Sequence, residues 1–146
     1  MQRRFYGRIL VPLDGTDLAE QILPYVEPLS RRFGSTVILL EVMSPPEVEL
    51  THTLSKLGSA VEATRREATD YSGAVAQRLR GRGVTVECLV EQGQAAFVIA
   101  DTARQLQADL IAMATHGRGG LRRLFYDELR RAAPCPVLYV RANEPA

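Results

Sequence analysis

Residues 84–117, "VTVECLVEQGQAAFVIADTARQLQADLIAMATHG", carry the pattern on which the fold turns. "VTVECLVEQG" reads as a strand ending in glycine. "AAFVIADTARQLQ" changes to helical spacing, and "ADLIAMATHG" returns to a nearly continuous apolar run. Such a run is what a strand covered on both faces requires. A strand, a helix and a strand joined by short links make a parallel crossover unit.

The same alternation extends in both directions. Gly7 to Pro12 forms a first strand, after which Thr16 or Asp17 offers an N-cap, with Glu20 at capping-box distance from Asp17. Leu18, Ile22, Leu23, Val26 and Leu29 predict one helix running to Phe33, where Gly34 ends it. "STVILLEVM" is a second strand, closed by "SPPE", and a long polar helix follows between Ser55 and Arg80. Beyond the quoted stretch, Leu121, Leu124, Phe125, Leu129 and Ala132 mark the apolar stripe of another helix. "CPVLYVRA" is the last strand and "NEPA" a frayed tail. The prediction is an α/β fold: one domain over residues 1–146, with a five-stranded, doubly wound parallel sheet and helices on both faces.

Composition narrows the function classes. Apolar residues make up 46% and charged residues 24%, as in ordinary globular chains. A net charge of +1 gives no general pull toward nucleic acid or acidic membranes, so neither is expected as a partner. The N-terminal apolar run breaks at Pro12 and Asp14, which fits neither a signal peptide nor a membrane span. A cytoplasmic location is expected. Cys88 and Cys135 make no disulfide framework and read as buried, inert thiols; no zinc spacing occurs.

In doubly wound sheets, ligands bind beyond the carboxyl ends of the strands. "PLDGTD", "EVMSPP" and "MATHGRGG" all end strands and should meet at one crevice. "HGRGG" is no Walker loop, since the sole lysine is Lys56 in a polar helical stretch. It is no dinucleotide fingerprint either, because the third glycine position falls on Arg122. A phosphate-accepting receiver domain fails for want of its distal lysine. His116 reads as a loop residue without a neighbouring nucleophile, and His52 as solvated.

Three segments in order, "RILVPLDGTD", "ADLIAMATHGRGGL" and "RRAAPCPVLYVR", resemble the universal stress protein family across essentially the whole chain. The resemblance implies a five-stranded parallel sheet in the order 3-2-1-4-5, a regulatory or protective role in stress, and no catalytic turnover. It implies homodimers through the last strand, here Pro136, Val137, Leu138, Tyr139 and Val140, together with unidentified protein partners. Pairing there would cover an otherwise open edge.

Family members that hold ATP use Gly, two residues, Gly, nine residues, then Gly followed by Ser or Thr. Transferred residue by residue, the resemblance places adenine near Asp14 and Val42, with Pro12 and Leu13 at the mouth and Met113 beneath. Ala114 stands at the first motif glycine, and Gly117 is retained. Asp127 and Glu128 stand where Gly-Ser/Thr belongs, and "APCPV" arrives four residues early. Four residues are about one helical turn, here the turn that would present donors to phosphate. Losing two or three charge-assisted hydrogen bonds would cost about 1.5–3 kcal/mol each. His116, Gly117, Arg118, Gly119 and Gly120 remain as a degenerate loop, with Arg118 its best phosphate partner.

The expected protein is therefore a stress regulator with no tightly bound cofactor. The alternative is a sensor that binds ATP or AMP weakly through the remaining loop. A slow ATPase is the least supported reading.

Overall fold

The computed structural model describes residues 5–44, 54–115 and 120–143. Its strands are β1 (Arg8–Leu13), β2 (Thr36–Met43), β3 (Thr85–Gln92), β4 (Leu110–Thr115) and β5 (Val137–Arg141). Its helices are α1 (Asp17–Glu20), α2 (Leu23–Phe33), α3 (Leu54–Arg80), α4 (Ala95–Gln105) and α5 (Gly120–Ala132). All pairings are parallel and the strand order is 3-2-1-4-5. This is the expected α/β sheet, with β3 and β5 at its edges.

Side-chain alternation divides the core into two layers. Ile9, Val11, Val37, Leu39 and Val86 pack toward Leu23 and Val26 of α2 and Val75, Ala76 and Leu79 of α3. Leu10, Ile38, Leu40 and Ile111 pack on the other face against Ile99, Ala100 and Ala103 of α4 and Leu129 of α5. Each fully buried aliphatic side chain contributes about 1.5–3 kcal/mol.

The first helix departs from expectation. The sequence predicts one helix to Phe33, whereas α1 stops at Glu20 and α2 begins at Leu23. Pro24 has no N–H for the Glu20 carbonyl, so the chain cannot keep i→i−4 bonding there. Gln21 and Ile22 instead donate three residues back, to Leu18 and Ala19. Gly34 does end α2 in the left-handed conformation, at φ 63°.

The capping box also fails. Thr16 is the N-cap, accepting from the Ala19 N–H at 3.2 Å, so Glu20 lies one residue beyond the box position. Its carboxylate accepts from Tyr71 at 2.7 Å and from Arg78, tying α1 to α3. Buried Glu27 pairs with Arg82 at 2.8 Å, a second tie, between α2 and the turn after α3.

Two smaller expectations are corrected. Leu124 does not join the buried stripe of α5: it is 57% exposed, while Leu129 is fully buried and Phe125 and Ala132 are half-buried. The two cysteines are half-buried, not buried, and burial pushes the Cys88 thiol up from its ordinary pKa. No helix among the described residues is long and apolar enough to cross a membrane.

Candidate ligand cavity at the carboxyl end of the sheet

The site begins with a proline in the central strand. The Arg8 carbonyl accepts from Asp109 at 2.8 Å, on the β4 side, so by alternation Leu10 and Pro12 also direct their backbone groups toward β4. Pro12 has no N–H to continue that ladder. β1 and β4 accordingly pair only at Ile9–Leu110 and Leu10–Ile111, whereas β1 and β2 stay in register as far as Leu13–Glu41. The sheet opens between β1 and β4, where strand order reverses.

A cavity of about 230 Å³ occupies this opening. Pro12, Leu13 and Asp14 enter from β1 and its end, Leu40 and Val42 from β2, and Met113 and Ala114 from β4. Ala19 of α1, Ala95 and Ile99 of α4, and Phe125 and Tyr126 of α5 close it. A larger hollow, about 570 Å³, lies at the opposite end of the sheet. There Arg8 and Arg104 donate to the carbonyls of Leu106 and Ala132, so the arginines serve helix ends. Chemistry and topology, not volume, favour the smaller cavity.

Asp14 builds the turn at the cavity mouth. Its Oδ1 accepts from the Thr16 N–H at 3.0 Å and from the Thr16 hydroxyl, which in turn caps α1. Beside it, Glu41 is half-buried, with the Ser72 hydroxyl 3.5 Å from its Oε2. Burial raises the Glu41 pKa above the ordinary value. Ser72 opposes that shift, and the charges of Asp14 and Glu67 add to it.

The α5 wall is aromatic. The Phe125 and Tyr126 rings meet edge to face, 5.1 Å between centroids, and Tyr126 meets Tyr139 of β5 in the same way at 5.3 Å. Burial raises the Tyr139 pKa, with the neighbouring Tyr126 a smaller cause.

Six of the eleven residues singled out in the sequence line this cavity: Pro12, Leu13, Asp14, Val42, Met113 and Ala114. His116, Gly117, Arg118 and Gly119 lie outside the described residues, as does His52. Gly120 opens α5. Leu40 and Ile99 were not anticipated as lining residues, although alternation from Val42 and the i+4 step from Ala95 point to them. Tyr126 had no signal of its own, because its place depends on how α5 docks. Among the described residues, no group of three or more His, Cys, Asp or Glu side chains could hold a metal ion.

Comparison with known proteins agrees with this architecture. The universal stress protein family model matches residues 5–141. Universal stress protein Sll1388 of Synechocystis sp. is 27% identical over 93% of this chain and 98% of its own length. The solved structure of the universal stress protein UspA from Lactobacillus plantarum matches with a TM-score of 0.79 at 21% identity, covering 95% of this chain and 100% of that one. A universal stress protein family protein from Arabidopsis thaliana, solved with AMP bound, matches with a TM-score of 0.69 at 14% identity over 93% and 92% of the two chains. These two structural likenesses are likenesses of fold.

Proposed function

Since this chain belongs to the universal stress protein family, we propose that it is a cytoplasmic stress regulator that acts through dimers and protein partners, without catalytic turnover and without tightly bound ATP. One observation carries the ATP part. The α5 wall of the cavity is Phe125 and Tyr126, followed directly by Asp127 and Glu128, where ATP-holding relatives would need Gly and Ser or Thr. Neither the Phe125 ring nor the two carboxylates can donate to a phosphate, which leaves the Tyr126 hydroxyl as the one side-chain donor on this wall.

The dimer part rests on β5. It is an edge strand made of Val137, Leu138, Tyr139 and Val140, preceded by Pro136, and Leu138 is 37% exposed. A second copy pairing there would cover an apolar edge.

A second reading, a weak adenine-nucleotide sensor, is favoured by the convergence of Asp14, Val42 and Met113 on one cavity. The AMP-bound plant relative supports it as well. Calorimetric titration of the purified protein with Mg-ATP, and then with AMP, separates the two. Micromolar ATP affinity would overturn the first reading. AMP binding alone would favour the sensor, and silence for both would leave the protein-partner role.

A further inference from the structure

We infer that the cavity selects its ligand through an aromatic wall: Phe125 and Tyr126 admit the uncharged heteroaromatic end of a nucleoside or nucleoside monophosphate and turn polyphosphates away. This inference rests on the sensor reading. It adds the residues that decide the ligand class, and it names Tyr139 as the positioning residue behind them.

The chamber is small. About 230 Å³ falls below the roughly 300–1,000 Å³ of drug-sized pockets, which suits a base with its sugar better than a whole nucleoside triphosphate. Apart from Asp14 and the Tyr126 hydroxyl, its lining side chains are apolar. An aromatic wall and a carboxylate acceptor across one chamber are satisfied together by a heteroaromatic ring carrying hydroxyl or amino donors.

The wall is braced by neighbouring rings. Tyr126 is held between Phe125 at an interplanar angle of 72° and Tyr139 at 74°, and the Tyr139 hydroxyl lies 3.5 Å from the Tyr126 carbonyl. A ring fixed from both sides loses little freedom when a ligand packs against it. Tyr139 does not line the cavity; it acts through Tyr126.

Charge sets the upper limit on phosphates. Asp14 lies at the mouth, and it is near enough to Glu41 for its charge to raise the cost of ionising Glu41. Asp127 and Glu128 follow Tyr126 along α5, and Asp127 pairs with Arg130 at 3.6 Å. A single phosphate extending into solvent meets screening water. A triphosphate brings more negative charge toward Asp14 and the neighbouring Glu41.

Calorimetry with adenosine, AMP and ATP at one ionic strength tests this. The wild-type protein should bind adenosine and AMP within about threefold of each other and ATP at least about tenfold more weakly. Phe125→Ala and Tyr126→Leu, the latter keeping apolar bulk without a ring, should each weaken adenosine about tenfold. Tyr139→Phe should retain adenosine affinity, and Tyr139→Ala should lose several-fold, with circular dichroism confirming the fold of every variant. ATP binding tightest, or unchanged adenosine affinity in both ring variants, would overturn the aromatic wall while leaving the sensor intact. No binding of any of the three compounds would overturn the sensor reading and this inference together.

Discussion

Leu10 and Ile111 form the last pair between β1 and β4, two residues before Pro12 interrupts the ladder. The cavity lies where that pairing stops, so a missing backbone donor shapes the site as much as any side chain does.

Replacing Pro12 by alanine restores an N–H on the β4 side. The new bond should add about 0.5–1.5 kcal/mol to stability and draw the strand ends together. Nucleoside affinity should fall at the same time. Urea denaturation and hydrogen exchange at residue 12 check this: an unprotected amide there would mean that something other than Pro12 holds the strands apart.

α5 gives a paired prediction. Leu129→Ala should cost about 2–5 kcal/mol, because the side chain is fully buried on the sheet. Leu124→Ser should change stability by less than about 0.5 kcal/mol, because that side chain is 57% exposed. Equal costs in thermal or chemical unfolding would show that the helix is docked in another phase.

Gly93 is fixed twice over. Its φ is 148°, and an added Cβ would stand 2.7 Å from Val98 Cγ2. Its N–H also bonds the Met43 carbonyl at 2.9 Å, joining the β3–α4 link to β2. Gly93→Ala should cost about 1–3 kcal/mol. Adding Val98→Ala should recover part of that loss, by relieving the contact but not the backbone strain. No recovery in denaturant melts would assign the whole cost to φ.

Glu41 predicts a pH signature. Folding raises its pKa above 4.5, chiefly by burial. Its contribution to stability is therefore fully present below pH 4.5 and is lost as pH rises through the folded value. Glu41→Gln keeps the shape and removes the ionisation. It should raise Tm relative to wild type at pH 7, and the difference should shrink on acidification toward pH 4. A difference independent of pH would point to packing instead.

Much of this molecule can be read from local pattern. "STVILLEVM" and "LIAMAT" are apolar on both sides because both faces of the sheet are covered, and that signal survives without tertiary knowledge. Gly34 marks its helix end through its own chemistry, whereas local chemistry leaves Thr16 and Asp17 both open as the N-cap that Thr16 proves to be. Pro24 carried its signal too, but the long apolar spacing on both sides of it concealed the break between α1 and α2.

The alternation of strands and helices, the parallel sheet and the segments that meet at its carboxyl end are legible in local pattern, because periodicity, capping and turn chemistry act between neighbours along the chain. Which side of α5 faces inward, leaving Leu124 in solvent and bringing Phe125 and Tyr126 to the cavity, is set by packing between elements. The ring contact between Tyr126 and Tyr139, on different elements, is of the same kind. Helical spacing confines a stripe to a range of angles, and the final rotation is chosen by the side chains of other elements packed against it.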